Sequence, residues 1–482
     1  MSGNTVAAMS SEQLTLAQLP DDVLLVVMQL LDIAYLFALR LVCKRLGGLA
    51  LHPDAWRHRR LHDTCGCAVL RLAPCLDAAV YGRDGKKHFH NSAFMATTCA
   101  VRHLDLFPED NDYAAIALVI RNQEALGRLR SVKLMAWPKS QGRFDVLLKT
   151  LVACSSVLES LDLFISSKPY AMGPVLYGPP RSSLKCFRCE TFKDAESFFN
   201  TLLAGHAATL EEVDFSVDSR HSISADTAAL LLRMPRLRKL QCLVFPGMEV
   251  LAACKMLADV SLGVSLEEGA IAGAVAFFRQ ANQLRVVSLD YTWLDYCDMK
   301  SLPRALASSG RSLVERLTID NFYGELQPLF GALPRLPALR VLSFLNSCML
   351  RPCNADKMDE LLLGLTPASA PTLRLLELSQ EPVVNPLFKG CIHAWLHMHS
   401  DSLKKALAAN PLLHILVQNP SVCGDGDSCD DNVCDVCPLD CHPQVRGDAC
   451  LRGKLGLFSH DPNKCPSPEN HTIDSSHVWI HI

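Results

Sequence analysis

The residues best suited to metal chemistry lie near the C-terminus of this 482-residue chain. Cys434 and Cys437 form a CxxC pair, and Cys441 is followed directly by His442. A CxxC pair can hold one zinc ion from a single turn, because thiolates and imidazoles are preferred zinc ligands. A second well-spaced CxxC pair is missing, so a cysteine-rich tail without metal is the competing interpretation. Both interpretations stay open, and we expect no cofactor.

Two further patterns in the C-terminal part could bind cations but lack essential partners. His393, His397 and His399 have no acidic residue placed as in the HExxH motif of zinc enzymes, so we interpret them as a solvated helix face. Asp425 and Asp427 begin like a calcium loop, but the required glycine and glutamate are displaced. The sequence contains no Walker loop, G-x-S-x-G elbow or dinucleotide-binding fingerprint. We therefore expect a protein that is not an enzyme.

A repeated hexamer with apolar residues at its first, fourth and sixth positions occupies most of the chain. Twelve copies occur between residues 101 and 417, including VRHLDL at 101, LRVVSL at 284 and LRLLEL at 373, and their mean spacing is about 28 residues. Segments with helical character, such as 225–234 and 269–281, separate them. Each repeat therefore reads as a strand, a loop and a helix. Because one such unit cannot bury its own apolar face, the repeats are predicted to stack into an α/β solenoid.

Alternation along each hexamer predicts which side chains face the core. Leu104 and Leu106 should point inward, while His103, Asp105 and Phe107 should point to the concave surface, where parallel strands of a curved solenoid lie. Helices would cover the convex side. The equivalent outward positions of other repeats carry both signs of charge and neutral polar groups: Lys133, Asp162, Arg188, Asp214, Gln241, Ser288, Thr318 and Glu377.

Aromatic residues cluster just after the predicted strands, where loops line one rim of such a solenoid. Exposed aromatic rings in loops are typical anchors for a protein partner. The candidates for binding a protein substrate are Phe107, Trp137, Tyr291, Trp293, Tyr296, Phe322 and Tyr323. The alternative is that these rings fold inward and fill the space between repeats, as aromatic side chains more often do.

Residues 19–56 predict three short amphipathic helices. The first begins after Leu19-Pro20 with two acidic residues, and the second carries Leu39, Val42, Cys43 and Leu46 before it ends at a glycine pair. A third begins near residue 53. A unit of about forty residues buries too little surface to be stable alone, so it must pack on a neighbour or on a partner.

This segment resembles an F-box, the docking module of Skp-cullin-F-box ubiquitin ligases. The F-box hallmarks are a Leu-Pro pair, a Val-Cys pair and a later Trp, in that order. The resemblance implies that the Skp adaptor is bound by Leu19, Pro20, Val23, Leu24, Leu39, Val42, Cys43, Leu46 and Trp56. Leu46 departs from the family, which usually carries an aromatic residue there. The competing interpretation is an N-terminal helical cap on a repeat array.

The repeats resemble the leucine-rich-repeat branch of the F-box family, although the Asn or Cys that usually follows each strand is mostly absent. Together the two resemblances predict the domain organisation. It comprises a flexible N-terminus at 1–14, an F-box at 15–62, a linker at 63–100 that packs the F-box onto the repeats, about twelve repeats at 101–419, and a cysteine-rich acidic tail at 420–482 that is expected to be disordered.

Composition limits the remaining function classes. The net charge of −3 does not favour nucleic acid or acidic membranes as partners, and the first residues lack the pattern of a signal peptide. We expect a cytoplasmic or nuclear protein in which the 21 cysteines are mostly reduced. The resemblance implies a non-catalytic substrate receptor that joins the Skp adaptor, and through it a cullin-RING core, to an unknown protein substrate. A repeat scaffold without a ligase role and, third, an enzyme with a zinc-dependent tail are the alternatives.

Overall fold

A computed structural model of the chain divides into two compact units, residues 1–189 and 190–482, which are described separately. The secondary structure mixes helices with strands that are mostly parallel. None of the helices in the described part is long and apolar enough to cross a membrane. The structure describes residues 18–61, 67–82, 91–108, 112–137, 141–165, 181–190, 196–216, 223–264, 267, 269–292, 300–322, 324–346, 355–379, 401–418, 454–465 and 478–482.

The first unit contains helices α1 to α8 and strands β1 to β6, the last of which ends at the unit boundary. Its helices are α1 (Asp21–Leu30), α2 (Ile33–Leu39), α3 (Lys44–Ala50), α4 (Pro53–Trp56), α5 (Cys67–Leu72), α6 (Asn91–Ala96), α7 (Tyr113–Ala125) and α8 (Gln141–Cys154). Its strands are β1 (Arg60–Leu61), β2 (Cys75–Tyr81), β3 (Ala100–Leu106), β4 (Ser131–Ala136), β5 (Ser160–Ile165) and β6 (Cys186–Glu190). Neighbouring strands pair in parallel from β1 to β6.

The N-terminal helices differ from the three that the sequence predicts. The second predicted helix is split, because α2 ends at Leu39 and Cys43 is the N-cap of a separate helix, α3. The Cys43 Sγ accepts a hydrogen bond from the backbone N–H of Leu46 at 3.4 Å. The glycine pair lies inside α3 rather than after it. Position 47 favours glycine, because a Cβ there would lie 2.9 Å from the carbonyl oxygen of Arg40. The described residues 18–61 therefore contain four helices rather than three.

Residues 63–100, predicted to be a linker, contain a further strand in the described part. Strand β2 pairs in parallel with β3, and its residue Ala79 is in register with Leu104. Both side chains are fully buried. Strand β1 also pairs in parallel with β2, so the parallel stack begins two strands before the first hexamer. The sequence pattern did not detect β2, because CLDAAVY lacks the leucine spacing of the hexamers.

The core of the first unit is a row of apolar side chains in register across its strands. Leu104 faces Val132, Val132 faces Leu161, and Leu161 faces Phe187 on successive strands. All four are at most 1% exposed, and full burial of each contributes roughly 1.5–3 kcal/mol. Polar side chains fasten helix to strand at the repeat edges: Gln123 accepts from Val101 N at 2.8 Å and donates to Cys99 O at 3.1 Å.

The second unit contains helices α9 to α15 and strands β7 to β16. The helices are α9 (Glu196–His206), α10 (Ala225–Leu232), α11 (Ala270–Gln280), α12 (Ser301–Leu306), α13 (Gln327–Ala332), α14 (Ala355–Gly364) and α15 (Asp401–Ala409). The strands are β7 (Glu212–Ser216), β8 (Lys239–Leu243), β9 (Asp259–Gly263), β10 (Val286–Asp290), β11 (Arg316–Asp320), β12 (Val341–Leu345), β13 (Leu375–Ser379), β14 (His414–Gln418), β15 (Lys454–Phe458) and β16 (Val478–His481).

The second unit contains an apolar row of the same kind. Its members run in register from β7 to β14, and all are fully buried: Val213, Leu240, Val260, Val287, Leu317, Leu342, Leu376 and Ile415. Each of the twelve hexamers contributes one strand, β3 to β14 across the two units. Burial alternates along most of these strands as the predicted inward and outward positions require. Exceptions include β12, where Ser343 is buried, and β14, where residues 414–417 are all buried.

The C-terminal segment differs from the expected disordered tail in its described residues. Strand β15 pairs with β14 in the antiparallel direction, and β16 then pairs with β15 in parallel. Gly456 permits this packing, because the indole of Trp479 occupies the space that a Cβ on Gly456 would need. The final strands therefore cap the exposed edge of β14, and an edge strand without such a cover is prone to non-specific pairing.

Candidate functional site

Trp56 organises the N-terminal helices of the first unit. Its indole is 1% exposed, its Nε1 donates to the carbonyl oxygen of Ala50 at 2.6 Å, and its ring centroid lies 5.8 Å from that of Phe37. The guanidinium of Arg59 lies 5.8 Å from the indole centroid and donates to Met28 O at 2.6 Å. Burial lowers the pKa of Arg59, and the carboxylate of Asp32 partly opposes that shift. Phe37 on α2 and Ala50 on α3 thus contact Trp56 on α4, and Arg59 connects this cluster to Met28 on α1.

Helix α1 carries two apolar stripes, one of them buried and the other exposed. Leu24 and Met28 are each 1% exposed and face the interior. Val23, Val26, Val27 and Leu30 follow the i, i+3, i+4, i+7 spacing of a second face, and all four are exposed. Leu30 alone is 83% exposed. An exposed apolar stripe on a helix is typical of a surface that a partner covers.

Exposed apolar residues continue beyond α1. Tyr35 lies on α2, and Leu41 and Val42 lie in the turn before α3. Leu41 is 86% exposed and Val42 is 65% exposed. Seven of the seventeen exposed large apolar side chains in the described part of the chain fall within residues 23–42. We call these seven the apolar docking surface: Val23, Val26, Val27, Leu30, Tyr35, Leu41 and Val42.

The nine residues predicted to bind the adaptor separate into surface and core. Pro20, Val23, Val42 and Cys43 are exposed, and Leu19 and Leu39 are partly buried. Leu24, Leu46 and Trp56 are buried, so for these three the prediction of direct contact is corrected to a role in the core. Sequence reasoning missed Val26, Val27, Leu30, Tyr35 and Leu41 as surface residues. One signal in the sequence was available: α1 is apolar on two faces. A helix of this kind is expected where both of its faces are covered, one by the domain and one by a partner.

The outward strand face of the first unit carries alternating charges. Asp105, Lys133, Asp162 and Arg188 lie in register on β3 to β6. The Asp162 Oδ2 lies 3.9 Å from both the Lys133 Nζ and the Arg188 Nη1. Burial raises the pKa of Asp162 above its ordinary value, while the two cations partly offset that rise. The two acidic and two basic side chains of this row balance in formal charge.

The outward face of the second unit is richer in hydroxyl groups. Its central row in register from β9 to β13 reads Ser261, Ser288, Thr318, Ser343 and Glu377. The Glu377 Oε2 accepts from Arg316 Nη1 at 2.6 Å and from Ser343 Oγ at 2.5 Å. Glu377 is thus held by its neighbours rather than presented freely.

The predicted rim aromatics do not share one environment. Trp137 is 49% exposed and its ring lies 6.1 Å from that of Phe164, while Phe107 is half-buried. Tyr291 and Phe322 are buried, with ring centroids 6.2 Å apart, and Phe322 also contacts Phe344 at 6.3 Å. These two predicted substrate contacts are therefore corrected to core residues that fill the space between repeats. Trp293, Tyr296 and Tyr323 lie outside the described residues.

The predicted metal ligands Cys434, Cys437, Cys441 and His442 also lie outside the described residues, as do His393, His397 and His399. A different group of possible ligands is present in the described C-terminal segment. His414, His460 and Cys465 offer ligand atoms that all lie within 4.8 Å of one another, and all three residues are buried. The sequence pattern did not indicate them, because 46 residues separate the two histidines.

Comparison with known proteins identifies the N-terminal domain. Residues 16–62 match the family model described as F-box-like. A search of the curated proteins finds no match. Among solved structures, the chain is similar to one in "Crystal structure of TLR13-ssRNA13 complex", with 12% identity and a TM-score of 0.30 over 70% of this chain and 46% of that chain. The chain thus spans less than half the length of that chain, and a likeness at this level carries no argument.

Proposed function

We propose that the chain is a non-catalytic substrate-recognition subunit of a Skp-cullin-F-box ubiquitin ligase. In this proposal the F-box-like domain binds the Skp adaptor, and leucine-rich repeats hold a protein substrate. One observation carries the proposal: a domain that matches the F-box-like family exposes seven large apolar side chains within residues 23–42.

The apolar docking surface is better explained by a partner than by solubility or folding. Leaving Leu30 and Leu41 in water contributes nothing to stability, since burial of each would contribute roughly 1.5–3 kcal/mol. Clustering of such side chains favours association through a desolvated apolar centre with a polar rim. Asp21 and Arg45, which form an ion pair at 2.6 Å, supply polar groups at the start of α1.

The repeats would hold the substrate by their outward strand face and by exposed rim residues. Trp137 is the best-exposed aromatic candidate, and the charged row from Asp105 to Arg188 offers specificity in the same unit. The cullin-RING core would supply the charged ubiquitin-conjugating enzyme. Catalysis then follows from proximity, because a held substrate lysine meets the enzyme at high effective concentration.

A matched pair of double variants tests the adaptor interaction. We expect Leu30→Asp/Val42→Asp to weaken Skp-adaptor binding by roughly a hundredfold, because two desolvated contacts are replaced by charges. The control Leu118→Asp/Val146→Asp changes a leucine and a valine that are 58% and 46% exposed on α7 and α8. Titration calorimetry should find wild-type affinity for the control. Equal affinity of both variants would contradict the docking surface.

The repeat scaffold without a ligase role predicts a different result. In that case neither the wild-type chain nor any variant binds the Skp adaptor. Proximity labelling in cells separates the two functions further. A receptor that cannot bind the adaptor should accumulate substrates that are otherwise degraded, whereas the neighbours of a scaffold should stay constant.

A further inference from the structure

The C-terminal strands enclose two imidazoles and a thiol. His414 is the first residue of β14, His460 follows β15 by two residues, and Cys465 ends a short 3-10 helix at Pro462–Lys464. Their exposures are 3%, 9% and 8%. The Cys465 Sγ lies 3.3 Å from the His414 Nε2, and the two imidazole centroids are 4.8 Å apart with nearly perpendicular planes.

The donor set has the chemistry that zinc selects. Zinc binds thiolate sulfur at about 2.3 Å and imidazole nitrogen at about 2.0–2.1 Å, so its tetrahedral ligands lie roughly 3.3–3.8 Å from one another. The Sγ–Nε2 separation of 3.3 Å is already in this range. No two of the three ligand atoms lie more than 4.8 Å apart, so side-chain movements of about 1 Å would bring all three to tetrahedral zinc distances.

The surroundings of the group resemble the apolar shell of a structural metal site. The ring of Trp479 lies 5.4 Å from that of His414, and the ring of Phe458 lies 5.3 Å from that of His460. Such a shell limits access of water and strengthens metal–ligand bonds. The three possible ligands also come from segments up to 51 residues apart, so one ion would fasten β14 to the segment after β15.

We propose that His414, His460 and Cys465 form a zinc site that closes the C-terminal end of the strand stack. Zinc would displace the thiol proton of Cys465, which passes to solvent, and both imidazoles would bind as neutral ligands. A fourth, exogenous ligand such as water completes the tetrahedron. The site is separate from the proposed adaptor surface and does not depend on the ligase function.

Metal analysis of the full chain tests the site. We expect one zinc per chain when the wild-type protein is purified without chelators, and its loss in His460→Gln/Cys465→Ser. The controls are His206→Gln and Cys254→Ser, which change a buried histidine and a buried cysteine elsewhere in the second unit and should retain zinc. Absence of zinc from the wild type, or zinc retained by His460→Gln/Cys465→Ser, would overturn the proposal. So would stoichiometric copper in place of zinc.

Two measurements on the wild type keep the test valid if the double variant fails to fold. Cobalt(II) substitution should give tetrahedral absorption bands and a sulfur-to-cobalt charge-transfer band, and X-ray absorption at the zinc edge should find one sulfur neighbour among nitrogen and oxygen. Several sulfur neighbours, together with loss of zinc in Cys434→Ser/Cys437→Ser, would place the ion among the tail cysteines and contradict the proposed site.

Discussion

The N-terminal domain and the C-terminal strands depart from ordinary burial in opposite ways. Residues 23–42 expose large apolar side chains, whereas β14 and the segment after β15 bury two histidines and a cysteine. Most of the hexamer strands follow the usual rule, with apolar side chains inside and polar ones outside; the exceptions are Ser343 on β12 and His414 on β14, which are buried. Each departure has a cost in isolation, since apolar surface is left in water at one end and polar groups are taken out of water at the other.

The two departures point to different kinds of partner. Exposed apolar stripes gain free energy from another protein surface, which supports the adaptor proposal. A compact group of nitrogen and sulfur donors in an apolar shell gains from a metal ion, which supports the zinc proposal. Unusual burial was therefore more informative about function than the regular repeats, whose side chains mainly account for folding.

The largest expected effect concerns the interior of the N-terminal domain. Trp56→Ala removes the ring at its centre and the hydrogen bond to Ala50, so we expect a loss of about 4 kcal/mol and loss of adaptor binding through unfolding. Hydrogen exchange should rise in peptides that cover α1, α3 and α4. Trp137→Ala, at a 49% exposed site, is the matched control and should change stability by less than about 1 kcal/mol. Unchanged exchange in Trp56→Ala would show that its burial contributes little.

A second substitution tests the corrected interpretation of the rim aromatics. Phe322→Ala should lower stability by about 3 kcal/mol, because its ring packs between Tyr291 and Phe344. Chemical denaturation and exchange of β11 and β12 would measure this. If Phe322→Ala leaves stability unchanged but reduces substrate labelling, Phe322 contacts the substrate and its assignment to the core is wrong.

A third prediction concerns a buried histidine that lies outside the proposed metal site. Burial lowers the pKa of His206, at the end of α9, from 6.5 to about 4. The unfolded chain therefore binds one more proton between these values, and stability falls as pH drops from 6.5 towards 4. One proton contributes a slope of at most about 1.4 kcal/mol per pH unit. The denaturation midpoint of His206→Gln should depend less on pH than that of the wild type; an identical dependence would contradict the assignment.

Much of the fold could be predicted because the hexamer period reports burial directly. Leu104, Leu317 and Leu376 recur at positions where one repeat must pack on the next, and all three are fully buried. Strand β2 and the cap formed by β15 and β16 could not be predicted. Strands β2 and β15 pair with strands that hexamers define, and β16 pairs with β15. Their own sequences lack the leucine pattern, so tertiary pairing rather than local periodicity sets their structure.

The candidate sites were less accessible to sequence reasoning. The hallmark residues Pro20, Val42 and Cys43 are exposed, but periodicity alone could not say which of two apolar stripes on α1 faces the interior. The sequence did not predict the group formed by His414, His460 and Cys465, because these residues come together only where β15 pairs with β14.

Calorimetric titration of the Skp adaptor into the full chain tests the central claim most directly. We expect one adaptor to bind each chain with a negative heat-capacity change, since association would remove the apolar docking surface from water. Saturable binding with this signature, lost in Leu30→Asp/Val42→Asp, is the predicted result. No detectable complex between the wild-type chain and the adaptor would contradict the account.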